Sequence, residues 1–289
     1  MMETLHKIKD RMESAEDLKS VIRTMKSHAS SNIAQFQDTA EASQSYRDVL
    51  DMALYVTLKN RTEKSIIQKN KEGNIFHIIF GSDHGLAGKF NERIANFALQ
   101  EIYSEKNQKV MVIGQRIIPR IEEYHQIAST FSIPQTEEGI ISIVQKLLFK
   151  IDENLEEGTL EEIILYFNKP TEGVSFEETK ETFYPIKADT LITSVEWNSR
   201  SIPQVFMDCN TLFSDLVKQY IFITLYRTFC QSLISENTSR LSSMESAEKN
   251  IDERLSELES KYRRHRQNSI TEEITDVISG FKAVKKSKS

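Results

Sequence analysis

Residues 81–91, GSDHGLAGKFN, set a carboxylate, an imidazole and three glycines between an apolar run and a helix-forming segment. Phosphate-binding loops occupy that position, because backbone amides at a helix N-terminus point at an anion. The spacing fits neither familiar arrangement. A Walker loop requires glycine at Asp83 and Ser or Thr at Phe90, and a dinucleotide fingerprint ending at Gly88 requires glycine at Asp83 as well as Gly85. The competing reading is a structural loop of Ser82, Asp83, Gly85 and Gly88, a tight strand-to-helix turn in which Asp83 accepts backbone hydrogen bonds and the glycines permit close packing. His84 beside Asp83 has no nucleophile with it and no orienting geometry, so acid/base catalysis is not expected.

Two further clusters carry chemistry-bearing types. Glu3/His6 and Glu122/His125 match the Glu-x-x-His spacing of di-iron bundles, since i and i+3 share a helix face. One pair lies at the chain start and the other in the middle segment, so a common metal centre is not expected, and neither cofactor nor metal is assigned. Lys261, Arg263, Arg264, His265 and Arg266 form the densest basic site. On a helix they spread around more than one turn, Tyr262 is the sole interleaved aromatic, and acids at Glu253, Glu257, Glu259, Glu272 and Glu273 surround them. A net charge of −6 over 289 residues also argues against nucleic acid as the main partner. A solvated helix face and a docking site for an acidic protein both remain open.

The elements that hold these residues follow from the breakers. Residues 1–72 contain neither glycine nor proline; every proline and every glycine except Gly280 lies between 73 and 203; Gln204 to Ser279 again has neither. A continuous helix over that last run would be about 110 Å long and needs support along its length. Leu241, Met244, Ile251, Leu255, Leu258 and Tyr262 supply a seam at 3/4 spacing, interrupted by Glu248. Leu5, Ile8, Met12, Ala15, Ile22, Ala29, Ile33, Phe36 and Ala40 supply another, interrupted by Lys19 and Lys26. The two are expected to pair antiparallel, because the segment between them brings the chain back.

That middle segment changes period. NIFHIIF (74–80), KVMVIG (109–114) and EEIILYFNKP (161–170) read as buried strands, SFEETKETFYPI (175–186) as an edge strand, and FNERIANFALQEIYSE and EEGIISIVQKLLFKIDENL as amphipathic helices. Strand and helix alternation predicts a largely parallel α/β domain. The expected fold is therefore α/β: a long antiparallel two-helix coiled coil from the two ends, with a Rossmann-like domain inserted. The expected divisions are 1–60, 73–203, 204–281 with Gly280 closing the helix, and a basic tail at 282–289. No apolar run spans a bilayer, YIFITLY (220–226) being the longest candidate. The N-terminus lacks a secretory signal, and Cys209 and Cys230, about 31 Å apart on one helix, read as reduced thiols of a cytosolic protein.

Both ends resemble the gamma subunit, the central rotor shaft, of the F-type rotary ATP synthase. IKDRMESAEDLKSVIRTMKSHASSN follows the pattern I-K-x-R-I-x-S-V-x-x-T-x-K-I-T-x-A-M-K-x-V-A-A-S-K, with Ile8, Lys9, Arg11, Ser14, Met25, Lys26, Ala29 and Ser31 in step. SDHGLAGKFN is similar to S-D-R-G-L-C-G-G-F-N. SENTSRLSSMESAEKN and YRRHRQNSITEEITDVISG resemble the family's last helix. Ser20 stands where the family often has lysine, His28 where it has valine, Asn32 where it has lysine and His84 where it has arginine, which points to a divergent or alternative rotary ATPase.

The resemblance implies a non-catalytic subunit that couples transmembrane ion flow to ATP synthesis or hydrolysis by rotating inside a hexamer of alpha and beta subunits. The epsilon subunit and the membrane ring of c subunits would hold its foot, at the cytoplasmic face of the bacterial inner membrane. It implies that Met25 and Lys26 lie near acidic loops of the catalytic subunits, and that Arg266 and Gln267 form a catch. Lys19 and Lys26 would then be charges offered to the surrounding subunits. The alternative is a coiled-coil scaffold or signalling protein with an inserted α/β domain.

Overall fold

The computed structural model describes residues 5–60, 73–102, 108–134, 136–156, 160–172, 175–185, 201 and 203–287. The elements run α1 (Leu5–Asn60), β1 (Asn74–Phe80), α2 (Phe90–Glu101), β2 (Gln108–Ile113), α3 (Ile118–Glu122), β3 (Ile127–Phe131), α4 (Glu137–Glu156), β4 (Leu160–Thr171), β5 (Ser175–Tyr184) and α5 (Cys209–Ser287). Packing divides the chain into two compact units, Met1–His28 with Ser242–Ser289, and Ala29–Leu241.

In the second unit the five strands form one sheet in the order β3-β2-β1-β4-β5, parallel throughout except for β5 at its edge. Both faces are covered. Ile78 is paired with Met111 on one side and Leu165 on the other, and that row packs with α4 and with Phe36, Leu54, Leu225 and Phe229 of α1 and α5. The next row, Ile79, Val112 and Tyr166, faces Ile94, Ala95 and Ala98 of α2 and Ile121 of α3. A strand with helices on both faces must be apolar at consecutive positions, which is why NIFHIIF is nearly continuous. Phe229 meets Phe80 edge-on with centroids 4.9 Å apart, a geometry that adds about 1 kcal/mol to the burial of the rings.

The unit boundary differs from the divisions at 60/73 and 203/204 that the breakers suggest. Residues 29–60 of α1 and 209–241 of α5 bury their apolar faces in the sheet's own core, so they belong with the α/β elements. Within this unit the two helices run antiparallel: Arg47 donates to Thr224 (2.6 Å) and to the Tyr220 hydroxyl, and Arg227 donates to Gln44 (2.6 Å). At the sheet edge, Arg93 of α2 grips the Glu178 carboxylate through Nε and Nη2 and lies over the Phe176 ring, 4.4 Å from its centroid.

Two helix ends depart from expectation. The last helix starts at Cys209 rather than at 204, because Asp208 caps it, Oδ2 accepting from the amides of Asn210 (3.1 Å) and Thr211 (2.9 Å). It runs through Gly280 to Ser287, and so takes in most of the expected tail. Glycine costs a helix interior about 1 kcal/mol and does not by itself stop one. Among the described residues, no helix is long and apolar enough to cross a membrane.

Candidate functional site

The loop after β1 is a closed polar knot. Gly81 donates to Ile113 O (2.7 Å), the Ser82 amide donates to Asn91 Oδ1 (2.9 Å), and Asn91 Nδ2 donates back to Ser82 Oγ (2.7 Å). Asp83 fastens the loop to two other loops. Its Oδ1 accepts from the amide of Gln115 and its Oδ2 from that of Ile133, both at 2.8 Å. With both carboxylate oxygens facing backbone donors, Asp83 is neither a base for His84 nor compatible with a phosphate in the same place. Beneath the loop, Ser239 of α5 donates to Ala87 O (2.7 Å), beside a buried ion pair of Glu236 and Arg240 (2.5 Å). Burial pushes the Glu236 carboxyl up, and the Arg240 guanidinium opposes that shift.

The glycines differ in what they contribute. Gly88 has a φ of 55°, and Leu86 adopts the same left-handed region at 64°. Gly85 is under no such constraint: a Cβ there would stay 3.7 Å from Arg116. The tight approach occurs at two glycines that the loop motif does not single out. A Cβ on Gly81 would stand 2.5 Å from Ile117 Cγ2, and Gly114, at φ +103°, would bring one within 2.6 Å of the Ser82 amide nitrogen. Asn91, Gly114, Glu236, Ser239 and Arg240 therefore belong to this knot. Gln115 and Ile133 lie so far along the chain that nothing in the sequence marks them as partners of Asp83.

Of the two Glu-x-x-His pairs, Glu122/His125 lies wholly within the described residues. α3 ends at Glu122, so Glu122 and His125 do not share a helix face. Glu3 lies outside the described residues, and His6 is 2.8 Å from Asp10, one turn later in α1. Among the described residues no group of three or more His, Cys, Asp or Glu side chains is placed to hold a metal. Cys230 is buried and its thiol is pushed up to about 12, the inert behaviour of a core cysteine.

The unit made of residues 1–28 and 242–289 holds the remaining candidates. Ile8, Ile22, Met244 and Leu258 are its buried apolar residues among those described. The seam charges pair with each other rather than facing outward. Lys19 bonds Asp252; Lys26 Nζ donates to Glu248 Oε2 (2.9 Å) and Arg23 Nε to Glu248 Oε1 (2.9 Å). Two cationic donors hold the Glu248 carboxyl down at about 2. Sequence numbers rise along one helix as they fall along the other, so the pair is antiparallel. Met25 and Lys26 are half-buried, whereas Arg266 and Gln267 are exposed on α5. Further along α5, Ile270, Ile274, Val277 and Ile278 are each 47–73% exposed. At i, i+4, i+7 and i+8 they make one apolar stripe, the pattern by which a helix docks.

Residues 4–284 match the protein-family model described as ATP synthase. The ATP synthase gamma chain of Clostridium kluyveri is 27% identical over 289 residues, covering 96% of this chain and 97% of that one. That of Pelagibacter ubique is 24% identical over 295 residues, covering 98% and 100%. Among solved structures, a chain of the Euglena gracilis mitochondrial ATP synthase OSCP/F1/c-ring assembly superposes with a TM-score of 0.66 at 12% identity, over 99% of this chain and 96% of that one. One from the central stalk and c-ring of the Tetrahymena thermophila mitochondrial enzyme gives 0.58 at 17% identity, over 78% and 99%.

Proposed function

The chain belongs to the ATP synthase family, with the gamma chains as its relatives, and from that membership we propose that it is the rotor subunit of a central stalk. The observation that carries this reading is the family match over residues 4–284, on a chain whose long N- and C-terminal helices flank the α/β elements in sequence. Nucleotide chemistry then resides in the surrounding subunits. This chain supplies asymmetry: an off-axis helix pair presents a different face to each catalytic interface and so stabilises a different open or closed state there.

Alpha and beta subunits surround the helix pair, and epsilon and the c ring hold the α/β end, at the cytoplasmic face of a bacterial inner membrane. Met25 is the proposed contact on α1, whereas Lys26, expected to serve beside it, is engaged by Glu248 of α5. Arg266 with Gln267 is the proposed catch on α5, where an exposed guanidinium suits bidentate capture of a carboxylate. The stripe from Ile270 to Ile278 is the bearing surface. The test is reconstitution. The purified chain alone is expected to hydrolyse no ATP, and its addition to alpha and beta subunits to give a stable complex with raised ATPase activity. Failure to form that complex overturns the reading.

A further inference from the structure

Closure of the two helices in the unit of residues 1–28 and 242–289 rests on little apolar surface. Between Met244 and Leu258 the seam positions Ile251 and Leu255 are only half-buried, and Glu248 occupies the position between Met244 and Ile251. On α1 the stretch between Ile8 and Ile22 carries Met12 and Ala15, both half-buried, and Lys19. At this level three charged contacts take the place of apolar layers: Lys19 to Asp252, Lys26 to Glu248 and Arg23 to Glu248. The Glu248 side chain is 18% exposed and that of Lys26 28%, whereas that of Arg23 is 63% exposed. Its carboxylate thus spends both oxygens on the facing helix, one on each cation.

We propose that Glu248 is the bolt of an electrostatic latch that closes α1 on α5 in this unit, and that it holds Lys26 in the seam so that Arg23 is the cation turned towards solvent. The physical case is one of mutual need. Replacing Glu248 by an uncharged residue leaves Lys26 half-buried without its counter-charge, so the lysine must leave the seam to be hydrated. Opening that follows deprives residues 5–28 of α1 of the packing on which a protein helix mostly depends for stability. A latch of this kind is sensitive to ionic strength, whereas an apolar seam is not. Among the described residues Arg23 donates to Glu248 through Nε, and its Nη edge is the one that can take a second carboxylate. The latch does not depend on the rotor reading; only the use made of Arg23 by a neighbouring subunit does.

Hydrogen–deuterium exchange on the full chain tests the latch without any partner. In Glu248→Gln, amides of residues 15–28 and 244–256 are expected to exchange about tenfold faster, the loss of charge-assisted bonds in a half-exposed setting. Those of β1, β2 and β4 stay unchanged. Raising the salt concentration should accelerate the same segments in the wild type and have little further effect in the variant. The swapped chain Arg23→Glu, Lys26→Glu, Glu248→Lys re-forms the pairs with opposite sign and should return exchange to within threefold of the wild type. Unchanged exchange in Glu248→Gln, or a swap that leaves the segments as fast as the single variant, overturns the latch. In the reconstituted complex, Arg23→Gln is expected to lower coupling more than Lys26→Gln; the reverse order refutes the assignment of the outward cation while leaving the latch and the rotor reading intact.

Discussion

Acidifying from neutral pH towards 4 should weaken the α/β domain through one side chain, His77. It lies at the centre of β1, 2% exposed, its ring stacked on Tyr166 at 5.7 Å and its Nδ1 3.1 Å from the Tyr166 hydroxyl. Among the described residues, neither its Nε2 nor the buried Oε1 of Gln108 has a hydrogen-bond partner. Burial lowers its pKa from 6.5 to about 4, with the charges of His125 and Lys180 adding to the effect and Gln108 opposing it. Because the folded value lies below the unfolded one, the unfolded chain takes up the proton first. The contribution of neutral His77 is therefore complete above about 6.5, is lost as pH falls towards about 4, and changes no further below that. At 1.36 kcal/mol for each pH unit between the two values, the loss is about 3 kcal/mol, a large part of an ordinary domain's stability. Urea denaturation followed by near-ultraviolet circular dichroism of the buried aromatics, measured at intervals across this range, reads it directly. His77→Leu removes the titration, so the difference between variant and wild type should grow as pH falls and then level off. Parallel curves, or an imidazole seen by NMR to titrate near 6.5, refute the argument.

Asp83→Ala leaves the Ile133 amide without its acceptor and returns the exposed Gln115 amide to water, and should cost about 2–4 kcal/mol in urea denaturation, most of it from the roughly 1.5–3 kcal/mol of the bond at Ile133. Asp83→Asn keeps one acceptor oxygen and should cost about half as much. Gly114→Ala meets both a positive φ and a 2.6 Å clash and should lower the melting temperature by several degrees, whereas Gly85→Ala should leave it within about one degree. Glu248 contributes above its ordinary value of 4.5 and ceases to as pH falls through about 2, so acid should open the pairing of residues 15–28 with 244–256, and Glu248→Gln should remove that response. Arg266→Ala, at an exposed position, should leave the melting curve intact and weaken assembly or coupling in the reconstituted complex.

β1, β2 and β4 are legible in the sequence because strands covered on both faces are apolar without interruption, and little else of that length is. β3 is not. At the sheet edge Ile127–Phe131 alternates half-buried and exposed positions, and IASTF has no run to announce it. α3 is hidden for another reason: Pro119 reads as a breaker, yet it sits in the first turn, where its missing N–H leaves no bond unmade. The helices at the two ends are legible, but the unit boundary within them is not, since a residue such as Phe36 keeps the same 3/4 spacing whether it faces a helix or a sheet. Asp83 is legible as a turn carboxylate, and its partners are not, because they come from loops that only the folded sheet brings close.

The latch is the case where the signal was present in the sequence and its meaning was not. Lys26 and Glu248 each appear as a flaw in an otherwise apolar seam, and one flaw read alone suggests a charge intended for another protein. Opposite signs on two seams that must face each other argue instead for a pair. Two leucines in their place would pair with more burial and no desolvation cost, since a half-buried ion pair gains little over well-packed apolar side chains. What apolar residues cannot do is fix orientation. A carboxylate with two donors accepts one geometry, in which Lys26 turns inward and Arg23 turns outward, and a helix pair that must present a defined face to its surroundings has use for that constraint. The thin seam then follows: an added apolar layer would close the helices without Glu248, and the face they present would no longer be set by it.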